Sequence, residues 1–349
     1  MPSSIFSSSA RVPLGDLTAP WLGAVVVGAA LLMGLEADFR AHGQTPYVGD
    51  SPSVVAIVAD EAKRAGPDAI VVAGSSRSEY DIDAPTLSAA LGGRRVFQLG
   101  QSGEPCMPVL EEFVNTTNFA GTIICGVEPT GLFGFGERDR ERTGEPRYPL
   151  PSERWDDRLA LRARFYLEKH IVILGRDPRA YFGRLAGHGT WPPPPPPRNV
   201  RATDRVSRLT FGTGPLDTTA ADIRNAGLFE IGGGRATTPD ELSATIDYLN
   251  ALVRRFAARG GRVVWVELPR SGRTRAVEDR RYPRAQYWDK FAARVEPAGS
   301  AFTVSDSPAL AAFNCPDGSH LDAAAAIPFT QELAAALASR ILPLKKPGT

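Results

Sequence analysis

The sequence predicts an α/β protein built on a parallel sheet, with one long apolar segment ahead of it near the N-terminus. Three observations predict this. Short continuous apolar runs end in glycine or proline, as strands buried on both faces do. Segments with helical spacing separate those runs, so the strands pair in parallel through right-handed crossovers. Finally, 43% of the 349 residues are hydrophobic, which suits one large α/β domain or two small ones.

Residues 1–16 read as a polar tail. From Leu17 to Leu35 the chain runs LTAPWLGAVVVGAALLMGL without a charge, bounded by Asp16 and Glu36. Those 19 residues rise about 28 Å as a helix, close to one hydrocarbon thickness, and Trp21 suits an interfacial position. A transmembrane anchor over 17–36 is expected. A cleaved signal peptide and a buried helix are the alternatives, though no A-x-A site follows Leu35. The expected topology is single-pass, with the N-terminus inside and the rest of the chain outside the cytoplasm. Residues 37–64 read as a spacer.

The α/β domain is expected over 65–349. DAIVVAG (68–74) reads as the first strand, and APTLSAALGG (84–93) as a helix closed by glycine. RRVFQLG (94–100) is the second strand. MPVLEEFVNTTNF (107–119) has helical spacing with proline in its first turn. GTIICGVEP (121–129) is the third strand. TPDELSATIDYLNALVRRFAARGG (238–261) carries the clearest helix signals, RVVWVELP (262–269) is the fourth strand and AFTVSD (301–306) a short fifth. AAAAIPFTQELAAALASRI (323–341) is the final helix. Residues 130–237 break the rhythm and read as an insertion that partly caps the sheet edge. It holds an amphipathic helix within 152–174, the run WPPPPPP (191–197), a stiff polyproline spacer, and a Gly-rich stretch at 230–238.

Forty basic residues against thirty-nine acidic ones leave no basic face for nucleic acid. No cysteine and histidine spacing suggests a metal site, and no cofactor is expected. Cys125 lies in an apolar run and reads as a buried thiol. Cys106 and Cys315 each lie beside a loop of interest; pairing in an oxidising compartment and two free thiols both stand.

Three motifs fall at C-terminal ends of strands, where such sheets bind ligands. AGSSRSEYDID (73–83) puts Ser75 and Ser76 in a strand-to-helix turn, where a serine caps a helix or is presented as a nucleophile beside free N–H groups. LGQSGEP (99–105) places Gly103 where its N–H serves either an ordinary turn or an oxyanion hole. NCPDGSHLD (314–322) sets Asp317 three residues before His320, either as a cap beside a surface histidine or as an acid orienting a base.

Together these motifs resemble the blocks of the SGNH (GDSL-like) hydrolase superfamily. GSS at 74–76 is similar to the first block, with Ser76 at the nucleophile position; LGQSG to the second, with Gly103 at the oxyanion glycine; and DGSHLD to the fifth, with Asp317 and His320 completing a triad. The resemblance covers most of 65–342 apart from the insertion. It implies a flavodoxin-like three-layer fold and metal-free ester chemistry, with Ser76 and Gly103 as oxyanion donors. The GSSR form is similar to membrane-anchored relatives that partner membrane-bound O-acyltransferases in exopolysaccharide modification, which implies an acylated carbohydrate substrate. The third block departs: GVEP (126–129) puts Glu128 where the family has asparagine, and an ionised carboxylate cannot donate. Arg77, Asn225 and the insertion are candidate replacements, and Arg77 and Glu128 candidate substrate contacts. The alternative for Arg77 is a surface pair with Glu79 or Asp81. Trp155, Tyr166 and Trp191 are candidate sugar-stacking rings, or ordinary packing. A non-catalytic binding component on the same fold is the rival reading. A dinucleotide-binding fold fails for lack of a Gly-x-Gly-x-x-Gly turn after the first strand.

Overall fold

The computed structural model describes residues 18–46, 48, 52–134, 155–175, 199–201, 207–211, 215–232, 235–297 and 299–341. The tail, the proline run and Trp191 lie outside the described residues.

In chain order the elements are α1 (Thr18–Ala41), α2 (Pro52–Lys63), β1 (Ile70–Ala73), α3 (Ser76–Asp81), α4 (Ala84–Ala90), β2 (Val96–Gln98), α5 (Met107–Thr116), β3 (Thr122–Val127) and α6 (Pro129–Phe133). There follow α7 (Trp155–His170) with a 3₁₀ turn (Val172–Gly175), β4 (Asn199–Arg201), β5 (Ser207–Leu209), α8 (Pro215–Gly232) and α9 (Pro239–Ala257). The chain closes with β6 (Arg262–Glu267), α10 (Gly272–Arg281), α11 (Trp288–Arg294), β7 (Ala301–Thr303), α12 (Pro308–Ala311) and α13 (Ala323–Ile341).

The main sheet has five strands in the order β2-β1-β3-β6-β7, and every pairing is parallel. Alternation along each strand feeds two cores. Val71 and Ala73 of β1 and Ile123, Cys125 and Val127 of β3 face one side, where α2, α5, α9 and α11 pack. Ile70, Val72 and Ile124 face the other, against α4, α12 and α13. Helices therefore cover both faces, as a parallel sheet requires. The start of α9 is fixed by a capping box, Thr238 with Glu241, and by proline in the first turn.

The structure corrects the sequence reading in several places. The stretch taken as a spacer contains α2, whose Val55, Ile57 and Ala59 are buried. Helix α1 runs to Ala41, five residues beyond the expected anchor. The last strand stops at Thr303, because the Thr303 side chain accepts from Ser305 N–H and turns the chain into 3₁₀ geometry. The Cys106–Cys315 pairing does not occur: all three cysteines are free and buried. Cys106 meets the Cys125 thiol on one face of the sheet, while Cys315 sits in the core of the opposite face.

Helix α1 is long and apolar enough to cross a membrane, and none of its apolar window is buried in the protein. Its last two turns dock on the end of α7 and the 3₁₀ turn after it. Glu36 accepts the Val172 and Ile173 N–H groups at 3.0 and 3.1 Å, and Arg40 donates to the His170 carbonyl at 2.7 Å.

The long segment between β3 and α9 leaves and rejoins the domain at one point, since Thr237 N–H donates to the Phe133 carbonyl at 2.8 Å. Its described parts are α6, α7, the antiparallel pair β4–β5, and α8, which packs along α10.

Candidate active site

The first residue of α3 is Ser76, presented where β1 turns into the helix, with Ser75 as N-cap accepting from Arg77 N–H at 3.3 Å. His320 Nε2 lies 2.8 Å from Ser76 Oγ, and His320 Nδ1 lies 2.8 Å from Asp317 Oδ2. The other Asp317 oxygen accepts the N–H groups of Ser319 and His320 at 2.9 and 2.7 Å, so this carboxylate is locked in one orientation. Burial acts to raise its pKa, but the hydrogen bond and charge of the His320 ring and the two N–H donors outweigh this and hold it below the ordinary value. With a carboxylate fixed on Nδ1, the imidazole carries its proton there and offers Nε2 to the serine hydroxyl. Tyr80 packs edge-on against the ring at 5.3 Å and limits its rotation.

The turn bearing Asp317 is set by glycine. Gly318 has φ +80°, and a Cβ there would collide with Asp222 and Thr274 side-chain oxygens. Asp222, on α8, accepts from Arg273 and Thr274 N–H at 3.0 Å each and so caps α10. One turn along α8, Asn225 Nδ2 donates to the Asp317 carbonyl at 2.9 Å. Asn225 is thus engaged by the Asp317 backbone.

The surface pairing expected for Arg77 is also corrected. Its side chain is fully buried, donating twice to Glu278 at 3.0 and 3.1 Å and once to Ser319 Oγ at 3.2 Å. The Phe229 ring of α8 stacks on its guanidinium at 5.0 Å. Burial alone would lower its pKa, but Glu278 and Glu128 more than offset that and raise it. Glu79, expected to pair with it, accepts instead from Ser102 and Ser207, and Asp81 from Leu321 N–H. Glu128, at the end of β3, accepts the Ser75 hydroxyl and lies 3.8 Å from Arg77 Nε. It is an acceptor beside the Ser75–Ser76 turn, as its chemistry dictates.

Gly103 occupies an exposed turn closed by a hydrogen bond from Glu104 N–H to the Gln101 carbonyl, with φ +81°. That turn accounts for its glycine, and among the described residues no contact links it to the Ser76–His320 pair. Trp155 and Tyr166 lie exposed on α7, the Tyr166 ring against that of His170 at 4.6 Å.

Sequence reasoning missed Asp81. This fully buried carboxyl holds the backbone of the residue after His320 at 2.8 Å through one oxygen, while the other has no hydrogen-bond partner. Burial pushes its pKa up to about 7, against the lowering charge of His320. In the unfolded chain it titrates near 3.8. The stability conferred by the neutral carboxyl is therefore complete below that value and is lost as pH rises through about 7. Asp81→Asn keeps an acceptor for Leu321 and cannot ionise. Relative to the parent, its melting temperature is expected to rise between about pH 4 and pH 7 and to level off above that; an unchanged difference would remove Asp81 from the pH dependence.

Comparison with protein-family models, curated proteins and solved structures gives no match to this chain. Among the described residues no group of His, Cys, Asp and Glu is arranged to hold a metal ion.

Proposed function

We propose that this chain is a serine-dependent acyl-ester hydrolase or O-acyltransferase of the SGNH type, held at a membrane by α1 and acting outside the cytoplasm. The observation that carries the reading is the hydrogen-bonded series Ser76–His320–Asp317, two 2.8 Å contacts in the order nucleophile, base and orienting acid. The strand order, 2-1-3-4-5 counted within the main sheet, supports the flavodoxin-like fold that such enzymes share. The site's place at the C-terminal ends of the strands supports the same reading.

Ser76 Oγ attacks the acyl carbonyl as its proton passes to His320 Nε2, and the Ser76 N–H group holds the developing oxyanion; Gly103, the second donor that the sequence resemblance would add, is occupied by its own turn. Collapse of the intermediate breaks the ester bond. The leaving alcohol takes the proton from His320, and the acyl group stays on Ser76. Water or a sugar hydroxyl then gives its proton to His320 and accepts the acyl group, restoring the serine. An acetylated cell-envelope or exported polysaccharide, worked on beside a membrane-bound O-acyltransferase, is the substrate setting that the sequence resemblance favours.

Glu128 favours a second reading. A carboxylate stands where a donor would assist the oxyanion, and loss of one such donor costs about 10²–10³ in rate. A binding or assembly component with impaired chemistry would tolerate that change.

The two readings part on treatment of the full chain with a fluorophosphonate. Labelling that disappears in both Ser76→Ala and His320→Ala is the expected result. Labelling that persists in Ser76→Ala would sink the triad assignment, and no labelling of the parent would favour the binding component.

A further inference from the structure

Helix α7 has two unlike sides. Leu161, Phe165 and Glu168 turn inward, with Phe165 against the core that α2 lines and Arg162 reaching Asp60 of α2 at 3.0 Å. On the outward side Trp155, Leu159, Ala163 and Tyr166 follow at intervals of four, four and three residues, which places them in one stripe. Leu167 widens it by a neighbouring row. Trp155, Leu159 and Tyr166 are 76%, 60% and 63% exposed, unusual for a row of large apolar side chains on a folded domain.

Position decides what covers this row. The apolar surface of α1 continues to Met33, about 4.5 Å of helix short of Glu36. Glu36 and Arg40 are the residues that grip the end of α7 and its 3₁₀ turn, through Val172, Ile173 and His170. The end of α7 is therefore tied within one helical turn or so of the level where the apolar surface of α1 stops. Leu174, in that 3₁₀ turn, is itself half exposed. Tryptophan and tyrosine are the side chains that favour the headgroup boundary, and a helix with one apolar stripe sinks that face about 5–10 Å into it.

We propose that α7 lies in the interfacial layer of the bilayer that α1 crosses, with Trp155, Leu159, Ala163 and Tyr166 toward the lipid. The inference rests on the membrane-spanning reading of α1 and is independent of the chemistry at Ser76. Lipid contact at two elements, one crossing and one lying flat, fixes the tilt of the domain as well as its distance from the membrane.

The native cysteines are buried, so an introduced surface cysteine can be spin-labelled selectively. The full chain, reconstituted in phosphatidylcholine/phosphatidylglycerol nanodiscs, would carry Leu159→Cys or Tyr166→Cys. Val26→Cys in α1 and Arg275→Cys at an exposed position of α10 provide the lipid and water references. Accessibility to oxygen and to a nickel chelate is then compared. The expected result is a shift at 159 and 166 away from the Arg275 value toward oxygen, the direction given by Val26. Nickel accessibility equal to that at 275 would overturn the proposal. Labels at 159 and 166 that are immobilised and closed to both reagents would also overturn it, since protein would then cover the stripe. A water-like signal at Val26 would instead remove the spanning reading of α1, and the inference with it.

Discussion

Asp317→Asn is expected to slow labelling of Ser76 by a fluorophosphonate by about 10³–10⁴-fold while leaving the melting temperature nearly unchanged. The substitution can keep its Oδ1 contacts with the Ser319 and His320 N–H groups, which hold the turn. What changes is the atom facing His320 Nδ1, where a carboxylate oxygen now sits at 2.8 Å. An amide NH₂ there donates, so the imidazole must leave Nδ1 bare and carry its proton on Nε2. That nitrogen can then no longer take the proton of Ser76. Labelling and thermal melts of parent and variant in the same detergent check both halves. A rate within about tenfold of the parent would mean that the Asp317 contact does not set the tautomer.

The second large effect is on stability. Arg77→Met is expected to cost about 3 kcal/mol, the lower end of the range for breaking a buried ion pair. At roughly 2–4 °C per kcal/mol, the melting temperature should fall by about 6–12 °C. Removing the guanidinium takes two hydrogen bonds from Glu278, a side chain with no exposure, and one from Ser319 beside His320. Arg270 remains near Glu278 at 3.4 Å, which keeps the cost from the upper end. Burial already raises the Glu278 pKa even with Arg77 and Arg270 beside it. Adding Glu278→Gln to Arg77→Met removes the stranded charge, so part of the lost stability should return. A double variant that is merely the sum of the singles would show that the two side chains are not coupled.

Much of the architecture was legible because the residues that build it carry local signals. Three of the apolar runs are the buried strands β1, β3 and β6, and α13 spans the residues its spacing indicated. Helix α2 carried its signal too, with valine, isoleucine and alanine at helical spacing. It was hidden by the Gly-, Ser- and Pro-containing chain before it, which reads as a linker. Helix α10 is different in kind. GRTRAVEDRR has almost no apolar face, and its start is capped by Asp222, fifty residues earlier. Nothing within that stretch announces the cap.

The candidate site divides the same way. Ser76, Asp317 and His320 each sit in a short motif, so their meeting at a sheet edge could be anticipated from strand ends alone. Arg77 could not be placed, because arginine is rarely buried without a partner and its partner lies 201 residues away. Asn225 and Asp81 act through backbone atoms of the His320 loop, and contacts to backbone leave no mark in the sequence of the group contacted.

The hydrogen bond between Phe133 and Thr237 makes the intervening hundred or so residues look like a cassette, entering and leaving through one doorway. By geometry alone such a cassette could be excised and the ends rejoined without disturbing the sheet. Its helix α8, however, steadies the backbone of Asp317 through Asn225, closes the end of α10 through Asp222, and lays Phe229 on Arg77. The excision would leave a sheet that can fold around a histidine loop that has lost its Asn225 contact, with the bonds of Asp81 and Arg77 left to hold it. A gene shuffled at that doorway would therefore exchange more than a cover, since whatever replaced the segment would have to bring its own brace for the acid.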